Sequence, residues 1–219
     1  MEPTKIPRVK ICCIASIEEA WLAIRQGASA LGLVSDMPSG PGVIEEELIA
    51  EIAAHIPPGV SSFLLTSKQD TRSIIMQQKR TRVNTIQICD RLVHGMYEDL
   101  REALPGISLV QVIHITGKES VEEAVSAADC VDALLLDSGN QFLEVKELGG
   151  TGRLHDWSIS REIREIVRIP IFLAGGLNPH NVKEAVSAVG PFGVDVCTGV
   201  RTEGRLDKIK LSQFFSALF

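Results

Sequence analysis

Two residues that could exchange protons, Cys12 and Asp137, lie at the ends of short apolar runs of the sequence. Cys12 belongs to the run 9–14, and Asp137 follows the run 131–136, which leads into a glycine cluster at residues 149–152. A thiol, with an ordinary pKa of about 8.5, can act as a base near neutral pH, and a carboxyl group can act as an acid. The pair therefore predicts acid/base chemistry beside a glycine-rich anion site, and we expect an enzyme.

Glycine-rich turns late in the sequence could hold a phosphate group without a lysine. The residues that we expect at the phosphate are Gly150, Gly152, Gly175, Gly176, Thr198 and Gly199. Because glycine has no Cβ, its backbone amide can approach an anion closely, and a helix that starts there adds a favourable dipole. The alternative is that these glycines only allow tight turns and bind no anion. The matching positions of these clusters in consecutive units favour the phosphate site.

The elements that must position these residues alternate regularly along the chain. Short apolar runs predict eight strands, at residues 9–14, 30–34, 60–65, 83–88, 108–113, 131–136, 170–174 and 193–197. Amphipathic stretches predict eight helices, at residues 17–26, 45–54, 70–80, 96–104, 120–128, 159–167, 179–188 and 208–218. The 219 residues give about 27 residues per unit, enough for one strand, one helix and two turns.

Eight such units predict a single-domain α/β protein over residues 1–219, a closed (β/α)8 TIM barrel. An open, doubly wound sheet is the alternative, but it usually carries Gly-x-Gly-x-x-Gly after its first strand, and residues 13–18 contain no glycine. The sequence has no Gly-Lys-Ser or Gly-Lys-Thr, so a triphosphate site is not indicated. In a barrel, the ends of all strands meet on one face, which would bring Cys12, Asp137 and the glycine turns together.

Composition and charge exclude several classes of protein. With Lys+Arg 22 against Asp+Glu 28, the net charge is −6, which disfavours a general nucleic-acid binder. Residues 1–7 contain no secretion signal, and no apolar stretch reaches the roughly 20 residues that span a bilayer, so we expect a cytoplasmic protein without a membrane partner. The five scattered cysteines and five histidines show no spacing typical of a metal site.

These motifs, taken together, resemble the phosphoribosylanthranilate isomerase family. The matching segments are 9–12 (Val-Lys-Ile-Cys), 134–138 (Leu-Leu-Leu-Asp-Ser), 149–152 (Gly-Gly-Thr-Gly), 156–157 (Asp-Trp), 174–179 (Ala-Gly-Gly-Leu-Asn-Pro), 193–196 (Gly-Val-Asp-Val) and 198–200 (Thr-Gly-Val). They occur in order over nearly the whole chain and are specific as a set. The resemblance implies a ribulose-phosphate-binding barrel that performs an Amadori rearrangement of a phosphorylated sugar in tryptophan biosynthesis, without a metal or an organic cofactor.

The resemblance also implies roles for individual residues. In the family, the aspartate that matches Asp137 is the general acid: it protonates the furanose ring oxygen and opens the sugar to a Schiff base. The cysteine that matches Cys12 is the general base that removes the proton from C2′, and the enolamine then tautomerises to the ketose. We further expect Gln87 and Asp195 in the substrate pocket. Arg201, Arg153 or another basic residue after a strand could meet the carboxylate of the substrate.

Several positions depart from the family pattern. Cys13 replaces the glycine that follows the catalytic cysteine, and Pro41 stands where the family carries an arginine for the substrate carboxylate. Residues 89–90 read Cys-Asp where His-Gly is usual, and Arg201 replaces an acidic residue. Two alternatives therefore stay open: a barrel that acts on another phosphorylated sugar derivative, and a non-catalytic sensor that keeps only the phosphate site. The apolar residues at 214–219 could pack the last helix or join a homodimer.

Overall fold

Eight parallel strands close into a barrel, in which each strand pairs with the next and the last pairs with the first. In the computed structural model, which describes residues 6–219, the strands are β1 (Arg8–Ile11), β2 (Ala30–Val34), β3 (Ser61–Thr66), β4 (Thr85–Ile88), β5 (Ser108–His114), β6 (Ala133–Asp137), β7 (Ile171–Leu173) and β8 (Gly193–Val196). The predicted (β/α)8 barrel is confirmed. The expectation that no secretion signal precedes it rests largely on residues 1–5, which lie outside the described residues.

A helix follows each strand and covers the outside of the barrel. The helices are α1 (Ile17–Arg25), α2 (Glu46–Ala54), α3 (Thr71–Thr81), α4 (Tyr97–Ala103), α5 (Glu119–Ala128), α6 (Trp157–Ile166), α7 (Val182–Val189) and α8 (Lys208–Leu218). Between β8 and α8 lie a short 3-10 turn, Thr198–Val200, and a hairpin of β9 (Arg201–Thr202) and β10 (Arg205–Leu206). None of the helices within residues 6–219 has the length and apolar character needed to span a bilayer.

Most elements differ from the predicted bounds by one or two residues, and the two largest differences, of three residues each, have physical reasons. Strand β1 ends at Ile11 rather than at residue 14, because Cys13 adopts a left-handed backbone with φ of 63° that turns the chain out of the sheet. Helix α7 begins at Val182 rather than at residue 179. The Asn181 side chain accepts a hydrogen bond from the backbone N–H of Asn178 at 2.8 Å and holds the preceding residues in a turn.

The hydrophobic core has two parts, one outside and one inside the barrel. Outward-facing strand residues such as Leu31 and Leu134 pack with helix residues such as Ile49. The inner part contains the rings of Phe63 and Phe172, whose centroids lie 5.9 Å apart in an edge-on arrangement. Because side chains alternate along each strand, one face of the sheet is left for the interior and can carry polar groups.

A buried ion pair joins the first and last strands inside the barrel. Lys10 Nζ lies 2.9 Å from Asp195 Oδ1, and these two residues are also paired in the register of β1 with β8. The Lys10 side chain is fully buried, and its ammonium lies 5.3 Å from the centroid of the Phe63 ring. Burial alone would lower the pKa of Lys10, but the charges of Asp195 and Cys12 and the hydrogen bond to Asp195 raise it above its ordinary value. Lys10 therefore carries a positive charge inside the barrel.

Removing one partner of this pair should destabilise the protein strongly. In Lys10→Met, Asp195 keeps a buried charge with no cation beside it, so we expect the free energy of unfolding to fall by about 3–5 kcal/mol. Urea unfolding followed by circular dichroism measures the loss. Arg80→Met, which removes the exposed pair of Arg80 with Glu46, is the control and should leave the urea midpoint close to that of the wild type. Equal midpoints for the two variants would contradict the assigned weight of the buried pair.

Candidate active site

A cavity lies at the ends of the barrel strands. Cys12, one residue beyond β1, and Asp137, the last residue of β6, both line it. Gln87 of β4 and Asp195 of β8 line the same cavity. The structure thus brings together four of the residues that the sequence placed in one site.

Strand alternation explains why the two reactive groups face the interior. Along β6, Leu134 and Leu136 belong to the outer core and Leu135 to the inner core, so Asp137 points inward. Along β1, Ile11 packs outside, and Cys12 belongs to the inner core. Because neighbouring parallel strands are in register, inward residues at strand ends gather at one mouth.

The carboxyl group of Asp137 is buried but only partly satisfied by the protein. The residue is 5% exposed, and its Oδ2 atom has no hydrogen-bond partner among the described residues. A buried polar atom without a partner costs free energy, which a ligand can recover by making the missing hydrogen bond. A Cβ at Gly149 would lie 3.5 Å from Oδ2, in ordinary contact, so the glycine turn closes one side of the carboxyl group.

The surroundings of Cys12 favour its thiolate. The side chain of Cys13 forms a hydrogen bond with Cys12, and this bond lowers the pKa of Cys12 more than burial raises it. The positive charge of Lys10 lowers the pKa of Cys12 further. A Cβ placed on Gly32 would lie 2.8 Å from Cys12 Sγ and 3.1 Å from Lys10 Nζ, so the sulfur and the ammonium both occupy space that only glycine leaves free. Cys12 therefore has the anionic character that a base requires.

The glycine turns form one wall of the cavity. Gly150, Gly152, Gly175 and Gly176 line it with positive φ values of 68°, 69°, 80° and 64°, and Thr198 joins them. The backbone amides of Gly175 and Gly176 donate no hydrogen bond to any described residue. They are available to an anion. Gly199 has a packing role instead: it is absent from the cavity lining, and a Cβ there would lie 2.0 Å from the carbonyl oxygen of Leu177.

The structure corrects the expectation that Arg201 meets the substrate. Its Nη1 and Nη2 atoms each donate to the Glu19 carboxylate at 3.0 Å, and Nη2 also donates to the backbone carbonyls of Cys12 and Cys13. These bonds engage the guanidinium behind the first turn, and Arg201 does not line the cavity. Arg201 therefore supports the backbone of the Cys12 turn rather than a ligand.

Sequence reasoning missed that two loops meet over the cavity. Ser39 Oγ, after β2, donates to the carbonyl oxygen of Lys146, after β6, at 2.6 Å. Pro41 packs so closely on Gly150 that a Cβ on the glycine would come within 2.5 Å of it. The cavity lining within residues 6–219 contains neither lysine nor arginine, and Lys146 is engaged by Asp90 at 2.5 Å. Gly40 and Gly42, which flank Pro41, were the signal in the sequence that another loop could pack here, because glycine allows close backbone approach.

Two side chains near the strand ends lie outside the reactive centre. His114, at the end of β5, has its Nε2 atom 2.9 Å from the carbonyl oxygen of Cys89, and it does not line the cavity. Trp157 is the first residue of α6 and packs against the outer core. Over residues 6–219, no group of three or more His, Cys, Asp or Glu side chains is placed to hold a metal ion.

Comparison with known proteins gives one consistent family. The family model described as N-(5'-phosphoribosyl)anthranilate (PRA) isomerase matches residues 9–217. The N-(5'-phosphoribosyl)anthranilate isomerase of Methanocella arvoryzae is 33% identical over 208 residues, which cover 95% of each chain. The crystal structure of the phosphoribosyl anthranilate isomerase of Thermotoga maritima is 28% identical with a TM-score of 0.80, covering 97% of this chain and 98% of that one. A phosphoribosyl anthranilate isomerase in complex with reduced 1-(o-carboxyphenylamino)-1-deoxyribulose 5-phosphate is 26% identical with a TM-score of 0.77 at the same coverage.

The lowered pKa of Cys12 should appear in its alkylation. A lowered pKa means that the thiolate is already populated at a pH below the ordinary cysteine value of about 8.5, so the midpoint of the reaction of Cys12 with iodoacetamide should fall below that value. Peptide mass spectrometry over a pH series measures the midpoint. Cys13→Gly removes the hydrogen bond and should move the midpoint upward, whereas Cys130→Ser should not. A wild-type midpoint at or above the ordinary value would refute the assigned environment.

Proposed function

The chain belongs to the N-(5'-phosphoribosyl)anthranilate isomerase family, and from this premise we propose that Cys12 is the general base and Asp137 the general acid of its aldose–ketose isomerisation. The activity, isomerisation of N-(5'-phosphoribosyl)anthranilate, is a step of tryptophan biosynthesis. One observation carries the assignment of roles: the lining of a single cavity contains a thiol with thiolate character and a buried carboxyl oxygen without a partner.

Each group suits one proton transfer of the rearrangement. Asp137, in its protonated form, gives its proton to the ring oxygen of the sugar, and the C1–O bond breaks to leave a Schiff base to the anthranilate nitrogen. The Cys12 thiolate then removes the proton from C2′, and the electron pair moves toward the cationic nitrogen to give the enolamine. Ketonisation at C2′ completes the rearrangement. The ammonium of Lys10, buried beside Cys12, keeps the sulfur anionic between turnovers.

The two ends of the sugar have different binding partners. The phosphate is bound by the turns that carry Gly150, Gly152, Gly175 and Gly176, with the Thr198 hydroxyl beside them. The side chain of Gln87 is 3% exposed, and its Oε1 atom has no partner among the described residues, so it is placed to accept a hydrogen bond from a sugar hydroxyl. Backbone amides thus provide the anion site in a chain whose net charge is −6.

Two further properties are proposed from the sequence and the family. We expect a cytoplasmic enzyme, as suits a biosynthetic step on a phosphorylated sugar. A homodimer stays a prediction: Phe214 and Phe215 are buried against the barrel, which leaves Phe219 as the exposed aromatic side chain of the last helix.

Loss of either proposed proton carrier should abolish turnover without unfolding the protein. Cys12→Ala removes the base and Asp137→Asn removes the acid, and each should lower kcat by a factor of about 100 or more, the usual contribution of a positioned proton donor or acceptor. Loss of anthranilate fluorescence measures turnover. Cys130→Ala and Asp129→Asn are matched controls outside the cavity and should keep wild-type rates. Full turnover in Cys12→Ala would reject the assigned base.

The phosphate site predicts an effect on KM from a single methyl group. In Gly176→Ala, the new Cβ would lie 2.8 Å from the backbone of Arg153 at a φ of 64°, so the turn must shift and KM should rise at least several-fold. Gly106→Ala is the matched control: φ is 84°, and a Cβ there would have no neighbour within 4 Å. It introduces comparable strain far from the cavity and should leave KM unchanged. Steady-state kinetics, with inorganic phosphate as a competitive inhibitor, measures both, and equal KM values would remove the phosphate site from these turns.

A further inference from the structure

Three thiol groups line the same cavity. Cys12, Cys13 and Cys197 all line it, and all three are free thiols. Interactions with the side chains of Cys12 and Cys197 raise the pKa of Cys13, so both neighbouring side chains lie close to it. Cys13 is therefore the middle member of the three, within reach of the sulfur on either side.

The backbone holds these thiols together rather than leaving them on mobile loops. Strands β1 and β8 are in register up to Ile11 and Val196, so Cys12 and Cys197 are the next residues of two neighbouring strands. Cys13 follows with φ of 63°, which brings its side chain beside that of Cys12 instead of onto the opposite face of the sheet. The guanidinium of Arg201 binds the carbonyl groups of Cys12 and Cys13 from behind.

Packing on the other side limits where the Cys13 sulfur can go. Its Sγ atom lies 3.6 Å from the carbonyl oxygen of Pro41, and a Cβ on Gly42 would come within 3.0 Å of it. The β2 loop therefore closes over Cys13 and keeps the sulfur between its two thiol neighbours. A non-glycine residue in the left-handed region carries a steric cost. At Cys13 this conformation brings a second thiol beside the proposed base.

We propose that Cys12, Cys13 and Cys197 form a thiol relay, in which hydroperoxide oxidation of Cys12 is converted into a reversible disulfide between Cys13 and Cys197. The relay is a site of reversible modification, and it protects Cys12 from irreversible oxidation. This protection benefits the enzyme only if Cys12 is the base of the reaction, so that part of the inference rests on the proposed function. The oxidant is a hydroperoxide, which is small enough to enter the cavity.

The first two steps consume one hydroperoxide. The Cys12 thiolate attacks the terminal oxygen of the hydroperoxide, the O–O bond breaks, and Cys12 becomes a sulfenic acid; the leaving alkoxide, or hydroxide from hydrogen peroxide, takes a proton from solvent and departs as an alcohol or water. The Cys13 sulfur then attacks the Cys12 sulfur. The S–O bond breaks, an S–S bond forms, and the Cys13 proton leaves with the hydroxyl group as water.

The third step moves the disulfide away from Cys12. Adjacent α-carbons are about 3.8 Å apart, below the usual range for a disulfide of about 4.4–6.8 Å, so a bond between Cys12 and Cys13 is strained. The register of β1 with β8 places Cys197 beside Cys12, the residue that precedes Cys13. Cys197 attacks the Cys13 sulfur and loses its proton to solvent, the S–S bond to Cys12 breaks, and Cys12 leaves as a thiolate, which its lowered pKa favours. The relay thus returns the base and stores the oxidation in the Cys13–Cys197 disulfide.

The other two cysteines are unsuited to this chemistry. Cys89 is fully buried and lies outside the cavity lining, so a hydroperoxide in the cavity does not reach it. Cys130 lies between α5 and β6 and does not line the cavity. Reaction should therefore be confined to the three thiols at the mouth.

Peroxide treatment of the purified full chain tests the relay. After hydrogen peroxide, the wild-type mass should fall by two hydrogen atoms, and tandem mass spectrometry of tryptic peptides should join Cys13 to Cys197. Dithiothreitol should restore the activity. Cys13→Gly suits the positive φ and should fold normally, but it lacks the resolving thiol: Cys12 should gain two or three oxygen atoms, and at least a tenfold loss of activity should persist after reduction. Cys197→Ala should not form the cross-strand bond, and Cys130→Ser should behave as the wild type.

The outcomes separate the relay from the isomerase assignment. Two results would overturn the relay even if turnover is normal. One is overoxidation of Cys12 in the wild type as readily as in Cys13→Gly, and the other is a disulfide that includes Cys89 or Cys130. Mass spectrometry needs no substrate, so the disulfide would still be seen if Cys12 proved not to be the base. In that case Cys12→Ala would keep its turnover, while the disulfide would still form in the wild type.

Discussion

The positive charge of Lys10, buried inside the barrel, is the interaction on which the arrangement of the site depends. It is paired with Asp195 at 2.9 Å and it lowers the pKa of Cys12, so one ammonium both joins the first strand to the last and favours the thiolate. A buried ion pair contributes little net stability in general, because desolvation offsets its attraction. Its retention here is better explained by chemistry: after the hydrogen bond from Cys13, the charge of Lys10 is a second cause that lowers the pKa of Cys12 against the effect of burial.

The departure at Cys13 links stability to reactivity. Glycine would adopt φ of 63° without steric cost, whereas cysteine adopts it at a steric cost. In return, Cys13 supplies the hydrogen bond that contributes most to lowering the pKa of Cys12. The turn is held by Arg201, whose guanidinium binds the carbonyls of both cysteines and the carboxylate of Glu19. The substitutions at positions 13 and 201, which looked independent in the sequence, are therefore parts of one local structure.

Periodic patterns predicted the elements well, and single residues in unusual conformations limited the prediction. Strand β2 and helix α8 have the bounds expected from the sequence, because continuous apolar runs and regular helical spacing are local signals. The predicted pairing of Cys12 with Asp137 in one cavity followed from the barrel geometry. The role of Arg201 could not be predicted, since its partner Glu19 is 182 residues away and no local pattern reports such a contact. The left-handed turn at Cys13 was equally hidden, because a cysteine gives no sign of positive φ.

The placement of charge around the cavity explains how an acidic protein can hold an anionic substrate. The described lining has no basic side chain, so attraction must come from backbone amides at one end and from the buried ammonium of Lys10 beneath the floor. Where the family pattern has an arginine, Pro41 instead packs on Gly150, and the β2 and β6 loops meet there. Because this contact occupies the place of the arginine, an anionic ligand there would meet loop backbone rather than a basic side chain. The glycine amides and the buried charge of Lys10 are therefore the groups through which we propose that an acidic chain holds an anionic substrate.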